Sequence, residues 1–149
     1  MKLAVLLFAP LLAAAGQSAG TPSEDLAHVQ SEGNPERRSR AALDNAEEAV
    51  RSAHESYVKG DVASTSARLE EVEQSVELAD SALKQTGKNP SRNPKYFKQA
   101  ELKSRGLLRR LDAFREEMSV ADRETMDRVI GTVQRTHDAW LDGIMGKKK

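Results

Sequence analysis

The sequence predicts an all-α protein: an antiparallel bundle of four long helices, arranged as two helical hairpins, behind a signal peptide and a flexible leader. Three observations carry that expectation. Apolar residues recur at alternating steps of three and four over four separate stretches, which is the spacing of one helix face. Turn and cap residues stand between those stretches. No cysteine occurs, so packing alone must hold the fold together.

The N-terminus is read first. Lys2 is followed by the apolar run Leu3 to Ala15, in which Ala13 and Ala15 form a small-x-small pattern. This is the layout of a signal peptide over residues 1–15, with the mature chain starting near Gly16. As a helix the run rises about 20 Å, short of a hydrocarbon core of roughly 30 Å, so it does not read as a membrane anchor. No Cys follows it to accept a lipid. Residues 16–33 are polar and broken by Gly20, Pro22 and Gly33, and read as a flexible leader with at most a helical turn around Leu26 and Val29.

Residues 34–146 hold the four helices. Asn34-Pro35 supplies a cap and a pre-set first turn. The first seam is Leu43, Ala46, Val50, Ala53 and Tyr57. Gly60 ends that helix and Asp61 caps the next, so the two form a hairpin. The second seam is Val62, Thr65, Leu69, Val72, Val76, Ala79 and Leu83, closed by Gly87. After the loop Gly87 to Asn93, Asn93-Pro94 repeats the opening device. The third seam is Phe97, Ala100, Ser104, Leu107, Leu111, Phe114 and Met118. Its register then fails: Ala121, Thr125, Arg128, Thr132 and Arg135 are mostly polar. A new seam begins at Met126, Ile130, Val133, His137, Trp140 and Ile144, with Ser119 and Asp122 as a capping pair. The fourth helix ends near Gly146, and Lys147 to Lys149 form a basic tail. Seams of this period pack at shallow angles, as in coiled coils and four-helix bundles. Gly106 and Gly131 sit inside helices, where close contact or a bend would justify their cost.

Chemistry-bearing residues are few. The histidines are His28, His54 and His137. Di-metal bundles place Glu three residues before a ligating His, whereas here Arg51 and Gln134 hold those places. Neither a metal nor a cofactor is therefore expected. His137 and Trp140 share the fourth seam, and are the candidates for lining a small apolar ligand; the plainer reading is a boundary histidine beside a packed indole. Ser104 interrupts an apolar seam. Its plainer reading is a hydroxyl bonded back to its own helix, since no elbow turn precedes it.

Charge is segregated. The chain has 23 basic and 23 acidic side chains, yet residues 42–83 hold ten acids against three bases, and residues 84–110 hold nine bases against Glu101. Two readings follow. The hairpins pair by opposite charge, placing Glu73, Glu77 and Asp80 near Lys95, Lys98, Arg105 or Arg109. Alternatively, Lys95, Lys98, Arg105 and Arg109 form a basic patch for an anionic partner. The balance of acids and bases favours the first. The expected function is non-enzymatic: a secreted or periplasmic helical interaction module, monomer or homodimer. Its partner would be a protein or envelope component, with no nucleic acid and no integral membrane segment in the mature chain. The alternatives are a bundle holding a small apolar ligand near Trp140 and His137, or a chaperone. In architecture, long amphipathic hairpins with basic surfaces resemble periplasmic helical chaperones of the Spy type. The Leu-Thr-x-x-Gln motif repeated in those proteins is absent.

Overall fold

The computed structural model of the chain describes residues 24–147. The expected signal peptide, the leader as far as residue 23 and the last two lysines of the tail lie outside the described residues. Five helices pack against one another: α1 Glu24–Gln30, α2 Pro35–Val58, α3 Val62–Gln85, α4 Lys95–Glu117 and α5 Arg123–Ile144. A single 3-10 turn, Val120–Asp122, precedes α5. No strand is present among the described residues.

Local signals set most helix ends. The Asn34 side chain accepts from the Arg37 amide, with Pro35 at the first position of α2. Gly60 adopts φ +77°, a conformation that costs a residue without a Cβ little, and α2 stops there. Asp61 then accepts from the Ser64 amide and starts α3. Asn93 does not repeat the device of Asn34: α4 begins after Pro94 with no side-chain cap. The loop's capping amide is instead Asn89, whose oxygen accepts from the Ser91 and Arg92 amides.

The seams are the core. Leu43, Val50, Leu69, Val72, Val76, Leu83, Leu107, Leu111, Phe114, Met126, Val133 and Trp140 are all buried. Tyr57, Ile130 and Ile144 are half-buried against that core, and Val62 is exposed, because it lies in the first turn of α3 at the end of the molecule. The buried faces are wider than the seams. Ala42, Ala49, Ala82, Leu108 and Val129 join them, as positions one step from a seam do when a helix has neighbours on two sides. Part of the expected leader is also core: α1 lays Leu26 and Val29 against α2 and α3, and Leu26 is fully buried. Two apolar residues three apart give even seven residues a face to bury.

The pairing of the hairpins differs from the simple antiparallel arrangement. Within each hairpin the helices run antiparallel: Asn45 of α2 reaches Ser75 of α3, and Ser104 of α4 reaches His137 of α5. Between hairpins they run parallel. Along α2 and α4, Arg40 meets Gln99, Asp44 meets Lys103 and His54 meets Glu117. Along α3 and α5, Glu70 meets Arg128, Glu73 meets Thr132 and Asp80 meets Trp140. The loop from Thr86 to Pro94 therefore connects diagonally placed helices, passing the C-terminal end of α5. A Cβ on Gly143 would stand 3.1 Å from Pro90. Glycine at position 143 is what lets the loop lie so close.

Gly106 does not owe its place to close helix contact. A Cβ there would find nothing within 4 Å, so no helix approaches it. Gly106→Ala should stabilise the protein by about 0.5–1 kcal/mol, the propensity difference alone. Leu69→Ala and Leu111→Ala empty fully buried sites and should each cost about 2–5 kcal/mol in urea unfolding, by lost transfer energy plus a cavity. A cost under about 0.5 kcal/mol at both would place them outside a packed core.

Candidate functional site

The polar seam positions of α4 and α5 meet. Ser104 Oγ lies 2.9 Å from His137 Nδ1 and donates to the Glu101 carbonyl at 2.9 Å. A hydroxyl has one proton, so the pair is satisfied when His137 Nδ1–H donates to Ser104. In that arrangement the imidazole is no base toward the serine. His137 Nε2 is 3.8 Å from Glu101 Oε1, and the same oxygen takes the Arg105 guanidinium. Ser104 is fully buried, and Glu101 and His137 nearly so. A serine, a histidine and a carboxylate thus stand together, with the serine fully buried.

Trp140 is buried beside them, and its indole N–H donates to Asp80 Oδ1 at 3.0 Å. The indole therefore spends its one donor on tying α5 to α3. The grooves described below are lined by neither His137 nor Trp140. One, of about 300 Å³, runs between α2 and α4 over Val50, Ala113 and Phe114, with His54 and Glu117 joined at 2.6 Å on its rim. Another lies in the loop at the start of α4, where Lys88, Arg92 and Lys95 surround Tyr96. Lys88 and Lys95 stand 5.5 and 5.4 Å from the Tyr96 ring centroid.

The acidic side chains of α3 do not face the bases of α4. Glu70 and Glu73 pair with Arg128 of α5, and Asp80 takes Lys84 and Trp140. The expected contacts of Glu73, Glu77 and Asp80 with Lys95, Lys98, Arg105 and Arg109 are absent, because α3 and α4 lie on a diagonal. From the basic segment, the bases that reach the first hairpin are Lys103, on Asp44, and Lys88, on Glu36.

What remains on α4 is an outward row: Lys95, Lys98, Leu102, Arg105 and Arg109, all exposed. Steps of three and four put them on one line, about 21 Å long. Lys98 and Arg109 form no ion pair among the described residues, Lys95 lies over Tyr96, and Arg105 leans on Glu101. Leu102 is 60% exposed in the middle of the row. The charge changes sign past it, at exposed Asp112 and Glu116. Sequence reading found the four bases but not Leu102, whose place on the row only matters once that face is known to be outside. It also missed Glu101 as a partner, although its spacing to Arg105 is the familiar one-turn ion pair.

Among the described residues no group of His, Asp and Glu could hold a metal ion, and no helix is long and apolar enough to cross a membrane. Compared with known protein families, curated proteins and solved structures, the chain matches none.

Surface charge pairs contribute to the acid response. The hydrogen bond from Lys88 holds the Glu36 carboxyl below its ordinary range, and Arg115 does the same to Asp127. A carboxylate depressed in the folded state adds stability above its unfolded pKa and loses it as pH falls through the folded one. Thermal stability should therefore decline on acidification below about pH 4. Glu36→Gln with Asp127→Asn should flatten that decline. Identical slopes in the variant and the parent would remove these pairs from the acid response.

Proposed function

We propose that this protein is a non-enzymatic, exported helical interaction module, whose mature chain binds a protein or envelope component through the outer face of α4. The observation that carries the reading is the exposed row Lys95, Lys98, Leu102, Arg105 and Arg109. Within it Lys98 and Arg109 are held by no carboxylate and keep their long-range attraction for an anionic partner, whereas Arg105 is paired with Glu101 and contributes less. The buried state of Ser104 and the indole's bond to Asp80 weigh against catalysis and against a ligand at Trp140. In this reading residues 1–15 are a signal peptide, and α2–α5 act as one bundle whose role is to hold α4 rigid.

The experiment recovers the protein from its own host. Extracytoplasmic protein starting near Gly16, sedimenting with envelopes in low salt, is the expected result. Lys98→Glu with Arg109→Glu should release it to the supernatant without lowering its melting temperature, since neither side chain has an internal ion pair to lose. An intact Met1, or envelope association indifferent to the reversal, would overturn the proposal.

A further inference from the structure

We infer that the outer row of α4 docks on an anionic lipid surface. The inference rests on the reading above that α4 is the binding face, and narrows its partner to one class. The first argument is charge. Lys95, Lys98, Arg105 and Arg109 are exposed along one line of α4, with Arg105 also paired to Glu101, and Arg92 is exposed in the loop beside Lys95. Basic residues near an anionic leaflet each add attraction, and the sum is screened by salt.

The second argument is Leu102. A polyanion presents phosphate, sulfate or carboxylate groups and has no use for an exposed aliphatic side chain at the centre of the site. A bilayer does: the leucine enters the boundary between headgroups and acyl chains while flanking bases stay with the headgroups. The third argument is shape. The row stands on the convex side of a helix, which meets a plane along a line. A protein partner would need a larger apolar centre than one leucine provides.

The sign change sets the pose. Asp112 and Glu116 continue the row at the same spacing and are exposed, so an anionic surface repels that end. The loop and the first turns of α4 then sit closest, and the far end tilts away. Tyr96, packed against the core, holds Lys88 and Lys95 over its ring at the near end.

The test is sedimentation of the full chain with vesicles of phosphatidylglycerol and phosphatidylcholine, against vesicles of phosphatidylcholine alone. Binding only to the anionic vesicles, falling about tenfold or more on going to high salt, is expected. Lys98→Glu with Arg109→Glu should lower the partition coefficient by about tenfold or more. Leu102→Ser, which changes no charge, should lower it about threefold or more, and Asp112→Asn with Glu116→Gln should raise it. Circular dichroism of each variant checks the fold. Absence of anionic-vesicle binding overturns the inference. So does binding unaffected by Leu102→Ser and competed fully by soluble polyphosphate, which would name a polyanion instead. If envelope association depends on Lys98 and Arg109 while pure lipid vesicles do not bind, this inference fails and the reading it rests on stands.

Discussion

The path of residues 86–94 decides the rest of this molecule. The chain leaves α3, passes the end of α5 at Gly143, and enters α4 on the far diagonal. An open route to the nearer corner would have set α3 beside α4 and closed a ring of antiparallel neighbours. The route taken places α2 beside α4 and α3 beside α5, each pair running parallel. Lys88 on Glu36 secures the same loop to the first turn of α2. Neither the pairing of charges nor the identity of the exposed helix face is independent of that path.

Electrostatics follows from it. A chain with acids crowded into its first hairpin and bases into the next segment invites the inference that the two attract. They meet across the hairpins at Asp44 with Lys103, while Glu70 and Glu73 take Arg128 of α5, outside the basic segment. Exposed pairs of this kind are each worth roughly 0–1 kcal/mol, too little to choose a topology against the packing of apolar seams. Packing placed the helices, and the charges took the neighbours that resulted. Lys98 and Arg109 on the outer line of α4 were left with solvent, and that unmatched charge is what the functional reading uses.

The buried polar groups show the same order of events. Ser104 and His137 break two seams that are otherwise apolar, and each satisfies the other across the α4–α5 contact. Asn45 reaches Glu71 and Ser75 across α2 and α3 in the same way. Unpaired, any of them would carry a desolvation cost. Paired, they oppose slippage of one helix along the other, since a shift of one turn would break the bonds without exposing the apolar seam. Ser104 and His137 thus lie together where they bridge α4 and α5.

Helix identity, the seams and most of the ends were legible in the sequence. Those signals act between residues three or four apart or within a single turn, and Leu69, Gly60 and Asn34 do in the structure what their spacing implies. Where a local signal misled, a neighbour or the lack of one was responsible: Val62 has nothing above it, Asn93 yields to Asn89, and Leu26 finds a groove that no sequence window contains. The four bases of α4 could be picked out by composition, but their exposure, and the meaning of Leu102 among them, could not. The seams of four helices can be buried against one another in more than one cyclic order. The sequence by itself determined which residues go inside, because hydrophobic periodicity is a property of each helix. Only the tertiary structure decided which helix stands beside which, because that turns on contacts between distant parts of the chain, such as the loop at Pro90 lying close to Gly143, more than fifty residues away.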